Sequence, residues 1–75
     1  MADAADIKGW IEAGLPECRA EVEGDGEHFN AVIVSPAFSG RTMVEQHQMV
    51  YAALGGRMGG EIHALSMRTL TPDEI

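Results

Sequence analysis

Cysteine is almost absent from this 75-residue sequence: Cys18 is the only one. One thiol excludes an intramolecular disulfide framework, a CxxC redox pair and a four-thiolate zinc site. Basic residues are nearly as scarce, five against twelve acids, for a formal charge of -7. Such a surface repels phosphate backbones, because nucleic-acid affinity rests mainly on Lys and Arg displacing counterions. Lys8, Arg19, Arg41, Arg57 and Arg68 are also scattered along the chain. A basic patch would have to be assembled by folding. No run of about 18 apolar residues is present, so the sequence offers no membrane-spanning helix. The stretch Met1-Ala2-Asp3-Ala4-Ala5-Asp6 has acids where an export signal carries basic residues. The expectation is a cytoplasmic, soluble protein.

What is present suffices for one core. A chain this short buries only about 60% of the surface its unfolded form exposes, which leaves no apolar material for a second unit. Residues 1–75 are therefore expected to be a single domain. Hydrophobic residues make up 45% of the sequence, enough to rule out wholesale disorder.

Periodicity gives the elements. Ala4, Ile7, Ile11 and Leu15, with Trp10 beside them, recur at helical steps, with Asp3 or Asp6 as N-cap and Gly14 and Pro16 as the stop. From Glu17 to Glu23 the pattern alternates, with Cys18, Ala20 and Val22 on one face, as in a half-buried strand. Gly24-Asp25-Gly26 supplies a turn, and Phe29 to Val34 returns as the second strand, with His28 at its start. Thr42 to Leu54 reads as the second helix. Thr42 and Glu45 match a capping box, Met43, Val44, Met49, Val50, Ala53 and Leu54 form the apolar stripe, and Glu45, Gln46 and Gln48 lie opposite. The glycine-rich Gly55 to Gly60 allows at most one short turn near Arg57 and Met58. Glu61 to Leu70 is the third strand, broken by Thr71-Pro72-Asp73.

A helix joining two strands of one sheet makes them parallel, with a right-handed crossover. Strands one and two should thus be antiparallel and strands two and three parallel. The predicted class is α+β, with helices on one face of a three-stranded mixed sheet.

This topology has a chemical consequence. His28 and His63 begin parallel neighbouring strands, so both imidazoles fall at one rim of the sheet, with strands about 4.8 Å apart. Neutral imidazole ligates zinc, copper and iron. Two such ligands leave the coordination sphere open, and no spacing of Asp, Cys or His in the sequence completes a structural zinc site. The remaining ligands would come from another molecule. Periodicity alone favours the plainer reading, in which His63 merely begins a strand and His28 decorates an exposed turn; the resemblance described below reverses that balance. His47, between Gln46 and Gln48, reads as a solvated helix residue. Cys18 lies about 20 Å of strand away from the hairpin turn and reads as a small buried apolar group. No nucleophile, base and orienting group assemble into a triad. The sequence does not read as an enzyme.

Three segments resemble the BolA-like family: Gly24-Asp25-Gly26-Glu27-His28-Phe29, Gln46-His47-Gln48-Met49-Val50-Tyr51-Ala52-Ala53-Leu54 and Glu61-Ile62-His63-Ala64-Leu65-Ser66. The closing Thr69-Leu70-Thr71-Pro72-Asp73-Glu74 also resembles the end of that family's domain. A histidine rather than a cysteine in the hairpin loop is similar to the bacterial IbaG-like branch. The resemblance implies an αββααβ fold related to the type II KH arrangement. It also implies a partner, a monothiol CGFS-type glutaredoxin, which shares a 2Fe-2S cluster with glutathione and the BolA-like chain in iron-sulfur trafficking or iron sensing. The motif's strand histidine falls on His63 and its loop ligand on His28. On this reading the isolated chain, a monomer or weak homodimer, carries no cofactor.

The competing expectation is a nucleic-acid-binding transcriptional or stress regulator, a role also associated with BolA relatives. Gly56-Arg57-Met58-Gly59 matches the GXXG loop of KH domains. Against it, a KH loop leads into a helix, whereas here a strand follows almost at once.

Overall fold

The computed structural model describes residues 2–75. Helix α1 spans Ala4–Gly14, strand β1 Arg19–Gly24, strand β2 His28–Val34, helix α2 Met43–Leu54 and strand β3 Ala64–Leu70. Single 3-10 turns occupy Pro36–Phe38, Gly55–Arg57 and Pro72–Glu74. The predicted αββααβ order is met with one change. The third helical letter is only the turn at Gly55–Arg57, because Gly55 leaves α2 at φ 64° and the glycines around it resist helix.

Both helices start where side chains satisfy the first free amides. Asp3 accepts from the Asp6 amide while Asp6 accepts from the Asp3 amide, and Thr42 and Glu45 make the same reciprocal pair. The sheet order is β1-β2-β3. β1 pairs antiparallel with β2, Ala20 opposite Ile33 and Val22 opposite Ala31. β2 pairs parallel with β3, Phe29 beside Leu65 and Ala31 beside Met67. This is the topology that the crossover rule requires.

Alternation along β2 sends Phe29, Ala31 and Ile33 into the core and leaves His28, Asn30 and Val32 exposed. Ile7 and Ile11 of α1, Val50 and Leu54 of α2, Ala20, Phe38 and Ile62 fill the space over that inner face. Gly14 sits against α2 so closely that a Cβ on it would lie 2.6 Å from the Ala53 Cβ. The helices can touch there because glycine has no side chain.

Two polar clips hold the layers in register. Lys8 and Glu12, 2.9 Å apart on α1, take the carbonyl and amide of Ala20 on the outer edge of β1. Gln46 donates to the carbonyls of Phe38 and Arg41 and accepts from the Thr69 hydroxyl at 2.6 Å. Gln46 was expected on the solvated side of α2, and instead it ties that helix to β3.

The starts of two strands also move, and two stripe residues are not buried. β1 begins at Arg19 rather than Glu17. β3 begins at Ala64 rather than Glu61, because the Ile62 amide is taken by the Arg57 carbonyl and the Ile62 carbonyl by the Gly59 amide. Glu61 to His63 thus belong to a turn. Met43 and Val44 were expected on the buried stripe but are 67% and 63% exposed. They occupy the first turn of α2.

Candidate metal-binding site

The hairpin that carries His28 is organised by Asp25. Its carboxylate accepts from the amides of Glu27 and His28, each at 2.9 Å, and its own amide donates to the His28 carbonyl at 3.2 Å. This is the local closure that Asp favours in turns. Gly26 supplies the positive φ of 101°. The His28 and Glu27 amides hold the Asp25 carboxyl below the ordinary range, because they stabilise its charged form. Gly24 closes the other side, since a Cβ there would lie 2.3 Å from the His28 carbonyl oxygen.

His63 is set by its neighbours. Ile62 before it is fully buried, and the Ala64 amide after it donates to the Glu27 carbonyl at 3.1 Å. Ala64 is also the register partner of His28. The two imidazoles therefore meet at one rim, both exposed, with ring centroids 6.4 Å apart and planes at 85°.

The spacing suits a shared ligand. A tetrahedral ion with metal–nitrogen bonds near 2.0–2.1 Å would bring two imidazole centroids to roughly 5 Å. Exposed rings close the remaining gap by side-chain rotation alone. No group of three or more His, Cys, Asp or Glu side chains that could hold a metal ion occurs among the described residues. The donor set fits half of a metal site.

The other sequence candidates lie apart from this rim. Cys18 precedes β1 and is half-buried against the core. Arg19 pairs with Val34, so Cys18 is at the opposite end of the sheet from His28. Burial, and secondarily the Glu12 charge, pushes its thiol pKa up, so the reactive thiolate is disfavoured. His47 is partly buried in α2 and joins no such cluster.

The Gly56-Arg57-Met58-Gly59 loop is folded inward. The Arg57 guanidinium stacks 4.3 Å over the Trp10 ring and donates to the Leu54 carbonyl at 3.0 Å. Met58 bridges to Ile62 and packs against the core. No helix follows the loop. Sequence reading missed both the Asp25 clasp and the Arg57–Trp10 stack. An Asp two and three residues before the amides it binds is a legible signal, whereas the stack is set by tertiary contact.

With this geometry in place, comparison with known proteins gives the class. The BolA-like protein family profile matches residues 12–74, and the chain belongs to that family. It superposes on a bolA protein homologue from Coxiella burnetii with a TM-score of 0.91 and 53% identity, covering 99% of this chain and 96% of that one. Among curated proteins it is similar to SufE-like protein 1, chloroplastic/mitochondrial, of Arabidopsis thaliana, 41% identical over 64 residues. Those residues are 84% of this chain and 17% of that protein. It is also similar to the DNA-binding transcriptional regulator BolA of Escherichia coli, 35% identical over 51 residues, 68% of this chain and 49% of that protein. The chain thus spans less than half the length of both curated relatives.

Proposed function

We propose that this chain is a non-enzymatic partner that supplies His28 and His63 to a 2Fe-2S cluster whose other ligands come from a monothiol CGFS glutaredoxin and glutathione. The observation that carries the reading is the 6.4 Å approach of two exposed imidazoles, joined by no third donor among the described residues. On this reading the loop histidine supports kinship with the IbaG-like branch, and the chain acts in the cytoplasm. Imidazole on one iron and thiolate on the other leaves the cluster less negative than four thiolates would, which raises its potential, as in Rieske centres. Such a site loosens on acidification, because imidazole must be deprotonated to bind metal.

The test is reconstitution of the chain with a CGFS glutaredoxin, glutathione, iron and sulfide. A heterodimer forms whose visible spectrum differs from that of the glutaredoxin homodimer. His63→Ala abolishes the difference and His28→Ala weakens it. Unchanged spectra in both variants would overturn the ligand assignment.

A second reading, transcriptional regulation through DNA, is favoured by the name of the Escherichia coli relative. The Gly56 to Gly59 loop serves it poorly, because the Arg57 charge is already engaged by Trp10 and Leu54. Salt-sensitive DNA binding that is lost in an Arg57→Glu, Gly59→Asp variant would support it.

A further inference from the structure

The helices cover one face of the sheet and leave the other bare, and the bare face runs directly into the histidine rim. Along β2 it carries His28, Asn30 and Val32 in succession. Glu23 lies opposite Asn30 and Glu21 opposite Val32 on β1. Glu21, Val22, Glu23, Asn30 and Val32 line a shallow depression of about 310 Å³, which stops short of His28. Its floor includes Val32, 41% exposed, an apolar side chain in open solvent. Its wall is two carboxylates. Neither makes an ion pair among the described residues, where Lys8 pairs with Glu12, although the Lys8 charge also acts on Glu21 from a longer distance. Arg68 stands on the same face beside Val32, two strands across from Glu21, and Arg19 lies opposite Val34, farther from the rim.

A stable complex buries about 800 Å² on each partner, far more than two imidazoles provide. A partner that completes the histidine site must therefore rest on the surface around it. On the inner side the rim adjoins the packed helices. The bare face is the adjoining surface left uncovered, and Asn30 is about 7 Å along the strand from His28.

Building on the shared-site reading above, we propose that the depression between Glu21, Glu23, Asn30 and Val32 is the docking seat of that same glutaredoxin, and that it receives a lysine or arginine side chain. The alkyl stem of the basic residue lies on Val32 and its charged head reaches Glu21 and Glu23, the division that long cationic side chains make between apolar and wet surroundings. The seat fixes the orientation in which the partner's thiol ligands approach His28 and His63.

The experiment titrates a CGFS glutaredoxin, loaded with glutathione and 2Fe-2S, into the wild-type chain and two variants at several salt concentrations. Glu21→Gln/Glu23→Gln removes the two charges at the seat. Gln48→Lys/Ala52→Lys changes net charge equally on exposed positions of α2, away from the bare face. The seat variant should bind about three- to tenfold more weakly, the range of two exposed ion pairs, with a flatter salt dependence. At saturation its spectrum should equal that of wild type, because both histidines remain. The α2 variant should stay within twofold of wild type. Equal loss in both variants reduces the effect to net charge and overturns the seat, as does wild-type affinity in the seat variant. A wild-type chain that binds no glutaredoxin overturns the shared-site reading itself, and the seat with it.

Discussion

His28 and His63 meet edge to face at one rim of the sheet, their ring centroids 6.4 Å apart, although they lie far apart in sequence. The meeting follows from connectivity. β2 and β3 are joined through α2, a crossover forces them parallel, and parallel strands begin at the same end. His28 is the first residue of β2 and His63 immediately precedes β3. An antiparallel β3 would have placed His63 about 20 Å away, at the Val34 end.

Asp25 is expected to matter to the site without touching a ligand. It grips the amides of Glu27 and His28, so Asp25→Ala frees the loop that aims His28. In reconstitution with glutaredoxin, Asp25→Ala should weaken cluster binding about tenfold, the scale seen when the groups supporting metal ligands are removed. Asp25→Asn keeps an oxygen acceptor and should retain most of the affinity. Amide hydrogen exchange checks the cause: the Glu27 and His28 amides should exchange faster in the Ala variant than in the Asn variant. Equal exchange in all three proteins would contradict the clasp.

Gly9 and Gly14 lie in one helix and should respond oppositely to alanine. A Cβ on Gly9 meets nothing within 4 Å, so Gly9→Ala gains helix propensity, up to about 1 kcal/mol. A Cβ on Gly14 would press into Ala53 at 2.6 Å, and overpacking of this kind costs about 1–3 kcal/mol. Thermal melts resolve the difference, because each kcal/mol moves the midpoint by about 4–8 °C in a domain of this size. A Gly14→Ala variant as stable as wild type would show that the helices can separate without penalty.

The sequence made the frame legible because its local signals agree with its tertiary contacts. Thr42 with Glu45 marked the start of α2, Asp3 was one of two candidate caps for α1, and the alternation of Ala20 and Val22 marked the inner side of β1. The rim itself followed from topology. What stayed hidden depends on contacts between elements. Gln46 is polar and looked solvated, yet Thr69 and two carbonyls claim it. Met43 and Val44 fit a helical stripe, but in the first turn of α2 both stay exposed, since no other element packs over them closely enough to bury them. The start of β3 shifted because Arg57 and Gly59 take the backbone groups of Ile62, a competition that residue pattern does not reveal. Arg57 looked like a free cation for the same reason, since nothing local indicates that Trp10 lies beneath it.

Cys18 offers a test of the folded state that is independent of any partner. Burial comes first among the causes that raise its pKa, with the Glu12 carboxylate adding to it and Lys8 opposing. A raised thiol pKa means less thiolate at a given pH, and the thiolate is the species that alkylates. The folded chain should therefore react with iodoacetamide more slowly than the same chain in denaturant at pH 8, and its rate–pH curve should lie at higher pH. Glu12→Gln removes the nearby negative charge, so the curve should move back toward lower pH while Cys18 stays half-buried. A folded-state rate equal to the unfolded rate would mean that the strand end opens freely to solvent, and the packing of Cys18 against the core would then contribute nothing to holding β1 on α1.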